Sequence, residues 1–154
     1  MAIFKAHVAL RVSDLSRSIA FYQAFLDVEP VKHKVGYAKF ELDNPGLNLT
    51  LNASEAAPVR GALSHLGIQV DSADALTHAI ARLKSAGLTP SEEFNTDCCY
   101  ALQDKAWVTD PDGNRWEIFV VHVADTAPEL TLGAVPKQPK APTSRTCCAP
   151  TCCA

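Results

Sequence analysis

Two sets of side chains in this 154-residue chain are suited to chemistry. The first is soft. All six cysteines fall in adjacent pairs, Cys98 with Cys99, Cys147 with Cys148 and Cys152 with Cys153. Neighbouring Cα atoms lie ~3.8 Å apart, less than the ~4.4–6.8 Å that an unstrained disulfide prefers. No cysteine precedes Cys98, as a framework stapling the whole fold would require. Adjacent thiols can instead close on one thiophilic atom. The second set is harder: His7, His65 and Glu117. The two histidines open matching segments, His7-Val8-Ala9-Leu10-Arg11-Val12 and His65-Leu66-Gly67-Ile68-Gln69-Val70. Glu117 stands in the apolar run Trp116–Val121, where an unpaired carboxylate is costly to bury. Singly, each would read as a hydrogen-bonded histidine or an ion-paired glutamate. The matched register of the histidines favours a shared divalent metal. Two imidazoles and one carboxylate with open positions suit non-haem Fe(II) and leave room for dioxygen and substrate. The same donors accept Mn, Co or Ni.

The elements that position these groups follow from periodicity. In both matching segments His7, Ala9, Arg11 and His65, Gly67, Gln69 take one face, and the aliphatic residues take the other. Ser13-Asp14 suits the N-cap of a helix over 15–26, with Ile19, Phe21, Tyr22 and Phe25 as its apolar contacts. Ser72 opens a second helix with the stripe Leu76, Ala79, Ile80 and Leu83, and Gly87 suits a left-handed stop. Short strands are expected near 29–34, 37–42 and 47–52, then near 88–93, 99–109 and 115–122. Asp110-Pro111-Asp112-Gly113-Asn114 is a strong turn signal before the last of them. The layout is βαβββ twice, an α+β fold with strongly curved sheets. If the repeats pack by pseudo-twofold symmetry, His7 and His65 become equivalent positions on paired strands, facing one metal-binding cup.

Aligning the repeats sets Thr50 opposite Glu117, so three protein ligands are expected rather than four. The interval from His65 to Glu117 is nine residues longer than that from His7 to Thr50. The surplus falls around Asn95–Asp104, and it carries Cys98 and Cys99.

The remaining composition narrows the function classes. With 47% hydrophobic and 20% charged residues the chain has the composition of a globular protein. A net charge of −3 does not favour nucleic acid as a partner. No apolar run approaches the ~20 residues that span a bilayer, so no membrane role is expected. The N-terminus lacks the apolar core of a signal peptide, and the cytoplasm is the expected compartment. Composition shifts near Asp125. Residues 125–154 hold five of ten prolines and four of six cysteines but no aromatic residue. We read 1–124 as one domain, with modules over about 3–55 and 62–122, and 125–154 as a flexible, disordered Cys-rich tail. Its Cys147, Cys148, Cys152 and Cys153 are suited to capturing soft metal ions or another thiophilic atom.

The doubled βαβββ plan, the spacing of His7, His65 and Glu117, and the Asp-Pro-Asp-Gly-Asn-x-x-Glu segment together resemble the glyoxalase/bleomycin-resistance/extradiol-dioxygenase superfamily, also called vicinal oxygen chelate proteins. Cys98-Cys99-Tyr100 and the cysteine-paired tail narrow the resemblance to the ArsI-type carbon–arsenic lyases and the similar cadmium-induced proteins. It covers roughly residues 3–122. The resemblance implies Fe(II)- and O2-dependent cleavage of the C–As bond of trivalent organoarsenicals, such as methylarsonous acid and reduced aromatic arsenicals, to arsenite. It also implies that His7, His65 and Glu117 bind Fe(II) while Cys98 and Cys99 hold the arsenical. A homodimer is among the assemblies it allows.

Weaker candidates surround these. Tyr100 and Lys105 flank the thiols and could position substrate, although a solvated loop residue is the simpler expectation for each. Arg11 and Gln69 share the histidine-bearing faces. His33, His78 and His122 are not expected to be ligands. Two other functions compete with the lyase. A cadmium- or arsenic-binding protein without catalysis explains every cysteine but not the paired histidines and Glu117. A glyoxalase-like isomerase or metal-dependent thiol transferase explains the cup but has no need of Cys98-Cys99.

Overall fold

A computed structural model describes residues 5–55, 61, 63–98 and 101–127. The first half runs β1 (Ala6–Val12), α1 (Leu15–Leu26), β2 (Lys32–Lys34), β3 (Tyr37–Asp43) and β4 (Gly46–Ala53). The second repeats the order with β5 (Leu66–Gln69), α2 (Ala73–Ser85), β6 (Ser91–Cys98), β7 (Ala101–Thr109) and β8 (Arg115–Val123). This is the expected pair of βαβββ modules. Each module forms its own four-stranded sheet, ordered β1-β4-β3-β2 and β5-β8-β7-β6. β1 runs parallel to β4 and β5 parallel to β8, because a helix returns the chain between them.

The caps follow the sequence. Asp14 accepts a hydrogen bond from the Arg17 N–H, and Ser72 accepts one from the Ala75 N–H. Gly87 takes φ +80°, a conformation that glycine adopts without strain. Alternation then decides the layers. Val12, Phe40, Leu49 and Leu51 of the first sheet and Ala106, Val108, Trp116 and Ile118 of the second join the two helices in one core. The helices therefore lie between the sheets, and the polar face of each sheet points outward.

Specific contacts lock the modules together. Trp116 Nε1 donates to the Tyr22 hydroxyl (3.0 Å), which donates to Asp110 (2.6 Å). Asp110 also accepts from the Asp112 and Asn114 N–H groups, so the Asp110–Asn114 turn is tied to α1 as well as to itself. Asp112 accepts from the Ser13 N–H, closing the same corner. At the other end Arg82 donates to the Ala24 and Phe25 carbonyls, placing a cation at the C-terminus of α1.

The surplus in the second module is a long hairpin. β6 and β7 span eight and nine residues, whereas β2 has three. The ladder shifts register between Glu93 and Thr96, where Asn95 takes φ 51°, and again between Leu102 and Gln103 on the β7–β8 side. Such bulges bend a strand and increase its twist. The strand expected near 88–93 thus begins later and continues to Cys98. Of the expected tail, residues 128–154 lie outside the described residues. Thr126 still donates to Asp97 on β6. Among the described residues no helix is long and apolar enough to cross a membrane.

Candidate metal and thiol site

The outward face of the second sheet gathers most of the chemistry. β5 sets His65 just before its first residue, and β8 sets Glu117 opposite Gly67. His65 Nε2 lies 3.7 Å from Glu117 Oε1. That exceeds a hydrogen bond but suits two donors to one ion. The other oxygen, Glu117 Oε2, is buried without a hydrogen bond, while Lys105 Nζ approaches to 3.3 Å. This is an ion-pair separation lacking hydrogen-bond geometry, so the attraction is electrostatic. Burying a carboxylate oxygen without a hydrogen bond is costly, and the Lys105 cation offsets part of that cost.

Gly67 makes the position possible. A Cβ there would sit 2.9 Å from Glu117 Cγ and 3.1 Å from Oε1. The equivalent residue in the first module is Ala9, which faces the shorter Thr50. The small residue thus tracks the large partner across the ladder.

Lys105 corrects the sequence reading. It was expected on a solvated loop, yet it stands in β7 with its side chain 3% exposed. Alternation along β7 aligns it with Gln103 and Trp107 on the face of Glu117, which pairs directly with Trp107. The Trp107 ring meets His65 edge-on at 5.1 Å, and the Arg115 guanidinium lies over it at 4.4 Å. No motif distinguished Trp107 in the sequence. Only its two-residue spacing from Lys105 hinted that the two share a face.

Cys98 ends β6 and is buried. It forms a small cluster with Trp107, apart from the main core. The ladder pairs Cys98 with Ala101, six residues from Trp107. A straight strand would hold those positions roughly 20 Å apart. The bulged hairpin therefore curls, carrying Cys98 back towards Trp107 and the His65–Glu117 pair. Cys99 and Tyr100, and also Cys147, Cys148, Cys152 and Cys153, lie outside the described residues.

His7 is placed differently. It stands exposed on the outward face of the first sheet, beside Asn48 and Glu41 in register. β1 and β5 are the outermost strands of separate sheets and are not paired with each other. Among the described residues no three His, Cys, Asp or Glu side chains gather as a metal site would require. The physical reason is the shared core, which turns both polar faces outward. On the first of these faces Lys5 bonds Glu41 (2.9 Å) and Asp43 (2.8 Å), and Lys39 bonds Glu41 (3.1 Å). The Lys5 and Lys39 ammonium groups hold the Glu41 carboxyl below the usual carboxylate range.

The remaining histidines lie apart from this pair. His33 and His78 are exposed. His122 pairs with Asp104 at 2.8 Å. Burial opposes ionisation of Asp104, but the Asn95 N–H and His122 outweigh it and hold the carboxyl below its ordinary range. This pair fastens the curled hairpin to β8. Arg11 and Gln69 lie exposed on the two polar faces.

Comparison with known proteins agrees with this architecture. Residues 6–118 match the Glyoxalase/Bleomycin resistance protein/Dioxygenase superfamily. A trivalent organoarsenical cleaving enzyme of Bacillus sp. (strain MD1) is 45% identical over 95% of this chain and 91% of its own length. The cadmium-induced protein CadI of Mycobacterium bovis is 43% identical over 86% of this chain and 84% of its own. In fold, the chain resembles a glyoxalase/bleomycin resistance protein/dioxygenase from Alicyclobacillus acidocaldarius, with a TM-score of 0.60 at 18% identity over 77% of this chain and 91% of that one. With its doubled βαβββ modules and its relatives on both the organoarsenical and the cadmium side, the chain belongs to the glyoxalase/bleomycin resistance protein/dioxygenase superfamily, in the group that includes the trivalent organoarsenical cleaving enzymes and the CadI proteins.

Proposed function

We propose that the protein cleaves the C–As bond of trivalent organoarsenicals to release arsenite, and so confers arsenic resistance. The observation that carries this reading is the burial of Cys98 against Trp107, next to the His65–Glu117 pair. A soft thiol is thereby brought to a hard donor set, and a relative named for organoarsenical cleavage matches 95% of the chain.

Each group has a definable task. Cys98 and Cys99 hold trivalent arsenic, because two thiolates satisfy a soft atom that oxygen donors do not. This leaves the third substituent, the carbon group, directed away from the thiol pair. The indole of Trp107 and the aliphatic stem of Lys105 give that group an apolar wall. Lys105 anchors the Glu117 side chain from 3.3 Å, and Trp107 fixes the plane of the His65 ring. His7, His65 and Glu117 are the residues that would hold Fe(II). His65 and Glu117 suit that role, since Glu117 Oε2 lacks a hydrogen bond and Oε1 lies 3.7 Å from His65 Nε2, whereas His7 stands on the other sheet. When bound, the iron supplies redox chemistry with dioxygen as co-substrate. Curling of the hairpin orients the arsenical and shields it from solvent.

The test is anaerobic loading with Fe(II), followed by methylarsonous acid with and without O2, with arsenite scored by speciation. Arsenite is expected only when both Fe(II) and O2 are present. Cys98→Ser is expected to abolish arsenical binding and spare metal binding, and His65→Ala to do the reverse. Tight arsenical binding with no arsenite under any condition would overturn the lyase in favour of a sequestering protein.

A further inference from the structure

We infer that Gln103 receives the arsenic-bound hydroxyl when Cys98 captures its substrate. The thiol end of the site is therefore built for arsenicals that carry As–OH groups, in preference to arsenicals already capped by other thiols. The inference rests on the arsenical reading above and adds the group that handles the leaving oxygen.

Strand register places this residue. On β7, Gln103 is paired with Thr96 of β6 and with Val121 of β8, on the outward face that also carries Lys105, Trp107 and Glu117. The next pair on that face, towards the end of the hairpin, is Cys98 with Ala101. Cys98 and Gln103 are therefore diagonal neighbours, ~7–8 Å apart between Cα atoms, a gap that a long side chain spans.

Its burial sets it apart. Ser18, Thr50, Gln103, Lys105 and Asp110 are the buried polar or charged side chains among the described residues, and Gln103 is 8% exposed. Ser18 donates to Asp112 and Thr50 accepts from Asn52, while Lys105 lies 3.3 Å from Glu117 and Asp110 accepts from Tyr22. Among the described residues the Gln103 carboxamide makes no hydrogen bond, even with Thr96 directly opposite. Nor is it sealed away. The side-chain atoms cut off from solvent and partners alike are Asn48 Oδ1, Trp107 Nε1 and Glu117 Oε2, and neither amide atom of Gln103 is among them. A β7 side chain of this parity reaches solvent only through the outward face, so the amide opens beside Cys98. Burying an amide without a partner weakens the fold. Such a local cost is characteristic of a functional position.

Capture is a ligand exchange at As(III) with no change of oxidation state. The Cys98 sulfur forms the As–S bond and one As–O bond of the arsonous acid breaks. The thiol proton leaves with that hydroxyl as water. The departing oxygen calls for a hydrogen-bond donor, and the hydroxyl that stays behind calls for an acceptor. A carboxamide supplies both, with two N–H donors and a carbonyl oxygen. It is uncharged, so no ion is left unpaired when the water departs. A thiol leaving group gains little from it, because sulfur is a weak acceptor.

The experiment follows capture of methylarsonous acid by stopped-flow tryptophan emission under anaerobic conditions, since Cys98 packs against Trp107. It uses the full chain carrying Cys147→Ser, Cys148→Ser, Cys152→Ser and Cys153→Ser, which leaves Cys98 and Cys99 as the only thiols. Adding Cys98→Ser is expected to abolish the signal. Adding Gln103→Leu is expected to slow capture about tenfold. The same arsenical capped beforehand with 2-mercaptoethanol is expected to react at matching rates with and without Gln103→Leu. That variant should also melt about 2–4 °C higher, because an apolar side chain of similar size replaces an amide that the fold leaves unpaired. Four results would each overturn the inference: undiminished capture of the hydroxyl form by Gln103→Leu, equal slowing with both forms, a lowered melting temperature, or a signal that survives Cys98→Ser. A parent chain that captures neither form would refute the arsenical reading itself.

Discussion

Gly67→Ala is a small change whose effect can be worked from the structure. The added Cβ would sit 2.9 Å from Glu117 Cγ, 3.1 Å from Oε1 and 3.3 Å from Phe119 Cε1. Carbon contacts prefer ~3.5–4.0 Å, so Glu117 must retreat by roughly half an ångström or more. Binding constellations tolerate displacements of only ~0.5 Å, and overpacking of this kind costs about 1–3 kcal/mol. At ~1.4 kcal/mol per decade, Co(II) affinity should fall by roughly 5- to 100-fold. Global stability should not fall in step. Alanine in place of glycine at a position without positive φ restricts the unfolded chain and contributes about 0.4–1 kcal/mol in favour of folding. The assay pairs Co(II) dialysis with thermal melting of the metal-free protein. Ala9→Gly is the control, because its partner Thr50 leaves no such clash. An unchanged Co(II) affinity would refute the reasoning, and so would a loss of affinity that merely tracks a collapse in melting temperature.

Three further outcomes are expected. Lys105→Met removes the cation 3.3 Å from a buried carboxylate; breaking such a pair should cost about 3 kcal/mol in urea titrations without metal. Much of that loss should return with Co(II), and an equal loss with and without Co(II) would contradict the electrostatic role. Tyr22→Phe deprives Trp116 of its acceptor and Asp110 of a donor. A destabilisation of about 1–3 kcal/mol is expected at unchanged Co(II) affinity, measured by urea midpoint and dialysis. Asp104 has a lowered pKa when folded, so its stabilisation is present above the ordinary carboxylate value of 3.8 and is lost as pH falls through the lower folded value. Asp104→Asn should therefore flatten the acid limb of a stability–pH curve below about pH 4, and an identical acid limb would show that the His122 pair carries no such linkage.

Much of the fold was legible along the chain because its signals are local. The helix bounds, the Asp14 and Ser72 caps and the Asp110–Asn114 turn depend on neighbours a few residues apart. The repeat exposed the symmetry of the modules, and the surplus before Asp104 marked the thiol-bearing segment. Periodicity also separated the faces, so His7, Ala9 and Arg11 were correctly placed opposite the aliphatic residues of β1.

What the sequence by itself determined, then, is which residue types are available and which face each occupies. Tertiary structure alone decided which faces meet. Lys105 read as a loop residue because its burial comes from β6 and β8, which are distant in sequence, and from a hairpin bent by bulges that no short pattern announces. Trp107 became part of the site through that same curl, which carries Cys98 back along the sheet. The separation of His7 from His65 has a similar cause. A strand's alternation sets its two faces, but whether two polar faces close on each other or turn outward depends on how the apolar faces share their core. Here one core takes both helices, so the hydrophobic effect that builds the fold also parts the two histidines.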